Sequence, residues 1–192
     1  MHIQALETDR LLLRPFTADD ADAVFSILSD GEANTFLPWF PVTTRAEAEE
    51  HLRERCLTPA EKGEALHWAI CLRTDNRPIG YIHVDLAEPH DFGYGLRHEF
   101  WRQGIVTEAC QAVLEEIKKS GMPYITATHD VNNPRSGAVM QKLGMTYRYS
   151  YREQWQPKDI PVTFRMYQLD FAPDIPTYAG YGEKYGGFIE EL

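Results

Sequence analysis

Between Phe100 and Lys119 the chain reads Phe-Trp-Arg-Gln-Gly-Ile-Val-Thr-Glu-Ala-Cys-Gln-Ala-Val-Leu-Glu-Glu-Ile-Lys-Lys, a short polar loop opening straight into an amphipathic pattern. Val106, Ala109, Cys110, Val113, Leu114 and Ile117 recur at helical spacing, while Glu115, Glu116, Lys118 and Lys119 fall off that stripe. The spacing therefore predicts a helix with one face on a core. Lys118 and Lys119 before Gly121 suit the negative end of a helix dipole and a left-handed cap. At the other end, the first amides of a helix lack internal partners, and Gln103 and Gly104 bring them to the surface beside a residue that lets a ligand approach the backbone. Such an end binds an anion, typically a phosphate; read alone, Gly104 serves equally well as a tight turn before a helix. A phosphate-loop nucleotidase is excluded, because no Gly-Lys-Ser/Thr follows Gly104.

The 192 residues suffice for one domain, and a 43% hydrophobic content fits an ordinary globular chain. No apolar run approaches the roughly 20 residues of a membrane span, and Met1 to Arg10 is too polar for a signal peptide, so a cytoplasmic location is the default expectation. Cys56, Cys71 and Cys110 lack CxxC spacing and fall within helix or strand patterns, which reads as reduced packing residues. With 19 Lys plus Arg against 29 Asp plus Glu, the net charge of -10 repels nucleic acid and anionic membranes and favours cationic partners. Solubility alone is the competing explanation of that acidity.

Along the chain, Arg10 to Phe16 is a strand ended by Pro15, and Thr17-Ala-Asp-Asp opens a helix with Val24, Phe25 and Leu28 inward. Leu37-Pro-Trp-Phe-Pro is a rigid aromatic loop in which Trp39 and Phe40 either line a pocket or lid the core, and Thr44 with Glu47 caps a charged helix reaching about Cys56. Leu66, Trp68, Ile70 and Leu72 alternate with polar or small residues, and a turn at Thr74-Asp-Asn-Arg-Pro leads to a partner strand, Ile79 to Leu86. A further strand, Asp91 to Leu96, is interrupted by Gly93 and Gly95, which points to a bulge or a close ligand approach. After the central helix come a strand at Tyr124 to His129, a helix with Asn133 as N-cap, Pro134 at its first position and Gly144 beyond its end, and two strands, one carrying Tyr147, Tyr149 and Tyr151 and the other Val162 to Leu169. From Asp170 onward the chain is rich in Gly and Tyr without periodicity, and is expected to be an extended or partly ordered tail.

This order of elements resembles the GNAT acyltransferase superfamily, and within it the ribosomal-protein N-terminal acetyltransferase-like branch. Four blocks carry the resemblance: Thr8-Asp-Arg-Leu-Leu-Leu-Arg-Pro, Phe92-Gly-Tyr-Gly-Leu, Trp101-Arg-Gln-Gly-Ile-Val-Thr-Glu-Ala and Asn132-Asn-Pro-Arg-Ser-Gly-Ala-Val-Met-Gln-Lys-Leu-Gly-Met. The resemblance implies a mixed α/β (α+β) fold: a mostly antiparallel central sheet, helices on both faces, and a fourth and fifth strand that splay apart. It implies a domain over residues 1–171 followed by a tail over 172–192.

By the same resemblance, the turn at Arg102, Gln103, Gly104, Ile105, Val106 and Thr107 would bind the pyrophosphate of acetyl-CoA, with Tyr94, Gly95, Leu96 and Asn133 along its pantetheine arm. Arg102 and Val106 depart from the branch, which has Gly and a small residue there; Arg102 would add a cation, whereas Val106 would crowd the phosphate. The reaction implied is direct transfer of acetyl to a primary amine, a peptide N-terminus or a small polyamine-like molecule, walled by Trp39 and Phe40. An ammonium must lose a proton before it attacks; Asp91 is the favoured base, with His83, Asp85, His90 and His129 as alternatives. The tyrosine that relatives place in the late helix is Met140 here, so the acid role is vacant or moves to Ser136. The rival reading is a non-catalytic acyl-CoA sensor or structural relative, resting on Val106 and that missing tyrosine. No metal is implied, since Arg102 stands where a zinc-protease helix starting at His98-Glu99 would need its second His. A homodimer is allowed.

Overall fold

The computed structural model describes residues 3 to 191. Strands β1 (Leu6–Glu7), β2 (Leu11–Pro15), β3 (Ala65–Leu72), β4 (Pro78–Asp85) and β5 (Phe92–Leu96) form one antiparallel sheet in that order. Strands β6 (Tyr124–Asp130), β7 (Thr146–Trp155) and β8 (Ile160–Asp170) form a second in the order β6-β8-β7, also antiparallel. Because the two-residue β1 precedes the Arg10–Phe16 strand, the fourth and fifth strands of the sequence reading are β5 and β6. These two meet at one parallel bridge, Asp91 to Thr126, with Thr126 N–H donating to His90 C=O at 3.2 Å; beyond it they diverge. Two antiparallel sheets joined by one parallel bridge, helices and a splay make up the expected α/β (α+β) class.

Helix α4 (Ile105–Lys119) lies on one face of both sheets. Its Ile105, Ala109, Cys110, Val113, Leu114 and Ile117 are buried in one cluster with Leu66, Trp68 and Ile70 of β3, Ile82 of β4, Phe92 of β5 and Ile125 of β6. Helix α5 (Pro134–Lys142) joins that cluster through Met140. On the opposite face of the first sheet lie α1 (Ala21–Leu28) and a continuous helical stretch of α2 (Arg45–His51), a wider π turn (Leu52–Leu57) and α3 (Thr58–Lys62). Val24, Ile27, Leu28, Ala48 and Leu52 pack there on Ala69 and Cys71 of β3. The helix expected to stop near Cys56 therefore runs on, to a left-handed cap at Gly63, φ +69°. Both capping boxes form as read, at Thr17 with Asp20 and at Thr44 with Glu47.

The segment after Asp170, expected as an extended or partly ordered tail, packs on the second sheet. Residues Gly180–Tyr185 form α6, and Phe188 exchanges backbone hydrogen bonds of 2.8 and 2.9 Å with Ser150 of β7. The physical reason is the pairing of flat rings with bare backbone. A side-chain atom added to Gly182 would sit 3.3 Å from the Tyr149 ring, and one on Gly187 3.4 Å from it. Tyr151 stacks on Tyr181 at 5.1 Å and on Tyr185 at 5.4 Å. The buried Gln168 side chain ties the connection down, donating to Pro176 C=O at 3.0 Å and accepting from Tyr178 N–H at 2.8 Å.

Candidate active site

Ahead of α4 the backbone takes the left-handed region twice, at Arg102 (φ +61°) and Gly104 (φ +76°). Among the described residues, the N–H groups of Gln103, Gly104, Ile105, Val106 and Thr107 have no protein acceptor; the helix closes its first bond only at Glu108 N–H to Gly104 C=O, 3.0 Å. Such a run of free amides at the positive end of a helix is an anion cradle. A side-chain atom built on Gly104 meets nothing nearer than the Arg10 guanidinium at 3.7 Å, so the approach is open.

Arg10, from the first sequence block, braces this loop. It donates to Gln103 C=O at 2.9 Å and to Glu108 Oε2 at 2.7 Å, while the Thr8 hydroxyl donates to Glu108 Oε1 at 2.5 Å. Burial pushes the Glu108 carboxyl up, but the bonds from Thr8 and Arg10 outweigh it and hold Glu108 below the usual carboxylate range. The Arg102 side chain is exposed and, among the described residues, without a carboxylate partner, while the Arg135 guanidinium lies 5.3 Å over the Trp101 ring. Val106 is half-buried and packs against the core cluster.

The β5 edge that faces the splay follows from its pairing. Asp85 N–H donates to Asp91 C=O and Arg97 N–H to Ile79 C=O, both at 3.0 Å; with a period of two, Gly93 and Gly95 turn their polar groups to β4, leaving those of Phe92, Tyr94 and Leu96 toward the gap. Trp101 Nε1–H takes the Leu96 C=O at 2.8 Å, so the Tyr94 backbone is the free part of this edge. The Tyr94 hydroxyl crosses the splay to α5, donating to Ser136 C=O at 2.8 Å and standing 3.2 Å from Ser136 Oγ. Burial raises its pKa. Asn133 caps α5, its Oδ1 accepting Ser136 N–H at 3.4 Å.

Gly93 and Gly95 make room for the protein itself rather than for a ligand. They lie opposite His83 and Tyr81, and an added side-chain atom would meet the His83 ring at 2.0 Å and the Tyr81 ring at 2.4 Å. The His83 ring, laid over β5 in this way, brings Nε2 to 3.3 Å from Asp91 Oδ2. Burial would lower the His83 pKa, but the hydrogen bond to Asp91 and its charge more than offset that, so it lies above the ordinary imidazole value. His67 stacks on His83 at 5.8 Å and is pushed down to about 3 by burial and then by the His83 charge. Asp85 is raised, chiefly by burial.

The other candidates separate. His90 packs edge-on against Tyr124 at 5.2 Å. His129 shares the core-facing side of β6 with Ile125 and Ala127, lies against Gly137 of α5, and donates through Nδ1 to Asp130 C=O at 2.8 Å, on the far face from Asp91. Trp39 is half-buried; its indole N–H donates to Asn34 Oδ1 at 3.0 Å and its ring meets His51 edge-on at 5.1 Å. Phe40 is 60% exposed. From the β7–β8 hairpin, Lys158 reaches across to donate to Asn34 C=O at 3.1 Å and Thr35 C=O at 3.0 Å, joining this loop to the second sheet.

Residues 10–146 match the model of the acetyltransferase (GNAT) domain. The chain belongs to the GNAT acetyltransferase family. GNAT relatives of similar length include the uncharacterized N-acetyltransferase YnaD of Bacillus subtilis, 31% identical over 84% of this chain and 89% of that one. Another is YoaA of the same organism, 27% identical over 85% of this chain and 95% of that one. Among solved structures, an acetyltransferase from Salmonella typhimurium described as modifying the N-terminal serine of a 50S ribosomal subunit protein superposes with a TM-score of 0.76 at 19% identity, covering 87% of this chain and 99% of that one. RimL, described as a ribosomal L7/L12 alpha-N-protein acetyltransferase in complex with coenzyme A, gives 0.76 at 22% identity, covering 87% and 98%.

Two features of this GNAT site escaped the sequence reading: the Tyr94 hydroxyl beside Ser136, and His83 as the partner of Asp91. The second had a legible signal. Tyr81 and His83 alternate along one strand while Gly95 and Gly93 alternate along the next, a large-over-small match across a hairpin.

Proposed function

We propose that this acetyltransferase transfers the acetyl group of acetyl-CoA to a primary amine by direct attack within a ternary complex. The observation that carries the reading is the Asp91–His83 pair, 3.3 Å apart at the point where β5 and β6 part. The free amides from Gln103 to Thr107, with Arg102 and Arg135 nearby, fit a pyrophosphate-bearing ligand; Tyr94, Gly95, Leu96 and Asn133 would flank its pantetheine arm. Acetyl-CoA supplies an acyl carbon and a thiolate leaving group. His83, made more basic by Asp91, takes the proton an ammonium must lose before its nitrogen attacks. As nitrogen bonds to the acyl carbon and the carbon–sulfur bond breaks, the nitrogen gives up its second proton and the Tyr94–Ser136 hydroxyl pair relays one proton to the leaving sulfur, each hydroxyl regaining the proton it passes on and the pair filling the place that Met140 leaves open. The acceptor is a peptide N-terminus or a small amine: the net charge of -10 favours a cationic partner, and a neighbour of the same fold is described as modifying an N-terminal serine. Phe40 and Trp39 would border it.

Calorimetry with acetyl-CoA and with CoA, followed by thiol release across a panel of amines, tests this. Binding with turnover on at least one amine is the expected outcome. Binding without turnover on a broad panel indicates an acyl-CoA sensor, and absence of binding overturns the assignment of the loop.

A further inference from the structure

The two sheets are covered on their Asp91 side by different parts of the chain. Helices α1 and α2 cover the first, whereas the second, through Tyr149, Tyr151, Val162, Phe164 and Met166, is covered by the tail tyrosines Tyr178, Tyr181 and Tyr185. Paired residues share a face, which fixes the side. Asp91 bridges Thr126, Thr126 pairs with Gln168, and Gln168 holds Pro176 and Tyr178. Asp91 therefore lies on the face whose cover passes from the α1–α2 layer to the tail. Burial raises the hydroxyl pKa of Tyr151 and Tyr181, and nearby carboxylates add to it, Glu153 and then Asp91 at Tyr151 and Asp91 at Tyr181. Tyr149 and Tyr185 spend their hydroxyls within the protein, on Tyr178 C=O at 2.9 Å and Glu153 at 2.9 Å. Tyr181 is half-buried, stacked flat on Tyr151 with rings 13° apart, and its hydroxyl has no partner among the described residues. An unpaired phenol on the face that carries Asp91 is a hydrogen-bond donor in wait.

We propose that the C-terminal segment Tyr178–Glu190 forms a wall of the acceptor site, and that the Tyr181 hydroxyl donates to the amine acceptor, selecting amines that carry a hydrogen-bond acceptor close to the nitrogen. This rests on the acyl-transfer reading above. The segment is anchored at its far end by Glu190, which accepts from Arg165 at 2.6 Å and from the Ser150 hydroxyl.

The test compares an α-amino amide with the alkylamine of equal length, using full-length wild type, Tyr181→Phe and Tyr181→Ala. Tyr181→Phe keeps the stacked ring and is expected to hold Tm and acetyl-CoA affinity while raising KM for the amino amide about tenfold, the scale of one lost hydrogen bond. KM for the alkylamine should stay unchanged, so the preference collapses. Tyr181→Ala should raise KM for both amines. If wild type turns over and Tyr181→Phe leaves the preference intact, the tail proposal fails and the acyl-transfer reading stands. If acetyl-CoA affinity and Tm fall with amine affinity in both Tyr181 variants, the tail is packing alone and the proposal fails. A wild type that releases no thiol with either amine, or any other, overturns the acyl-transfer reading and this proposal with it.

Discussion

Arg102 holds a left-handed backbone, φ +61°, where a side chain costs roughly 1–2 kcal/mol; this is the physical reason the branch has glycine at that position. Arg102→Gly is therefore expected to hold or raise Tm while weakening acetyl-CoA binding several-fold, because the exposed guanidinium is lost from the anion cradle. Calorimetry beside thermal unfolding separates the two effects, and unchanged affinity would remove Arg102 from the site. At His83 the sign follows from its partner. Asp91 raises the imidazole pKa above its ordinary 6.5 against the pull of burial, so turnover should climb with pH as His83 loses its proton. In Asp91→Asn burial is opposed only by the smaller effect of the Asp85 charge, and the acid limb should move to lower pH with a reduced plateau. A limb that stays in place would show that another group titrates. The same linkage makes the pair stabilising below pH 6.5, a contribution lost as pH rises through the raised folded value.

At the scale of elements, the start of α4 is held from outside by β2 and the loop before it. Arg10→Ala removes the bonds to Gln103 and Glu108 and leaves the Glu108 carboxylate beside the phosphate cradle without its cation. Acetyl-CoA affinity is expected to fall about tenfold with the amine KM nearly intact; equal losses for both ligands would mean that the whole domain had loosened. The helices and strands were legible because each carries its own period and caps: Thr44 with Glu47, Asn133 with Pro134, the stripe from Val106 to Ile117. What was not legible depended on partners far away in sequence. Gly93 and Gly95 read as gaps for a ligand until Tyr81 and His83 are laid across them. The tail has no apolar period because its packing faces are Gly backbone and Tyr rings, and no local pattern announces which strand they will cover. Trp39 stays ambiguous for another reason: an aromatic in a proline-bounded loop reads as pocket or lid, and its half-buried ring, held by Asn34 and His51 beside the exposed Phe40, serves either reading.

The whole molecule carries a net charge of -10, yet Arg102 and Arg135 stand beside the amide cradle. An acidic body attracts a cationic acceptor over a distance that salt shortens to about 10 Å at 0.1 M. KM for a multiply charged amine should therefore rise with ionic strength, whereas that for a singly charged amine of similar size should change less; identical salt dependence would make the acidity a matter of solubility. The bridge between Asp91 and Thr126 has a mechanical consequence. It is the vertex of an angle whose sides are the two sheets, and in any rotation about a vertex displacement grows with distance from it. Leu96, about 17 Å along an extended strand, would shift by roughly 1.5 Å for a rotation of about 5°, while Asp91 hardly moves. Any flexing about that vertex would thus be taken up at the rim, and the alignment of Asp91 would be insulated from the size of what enters.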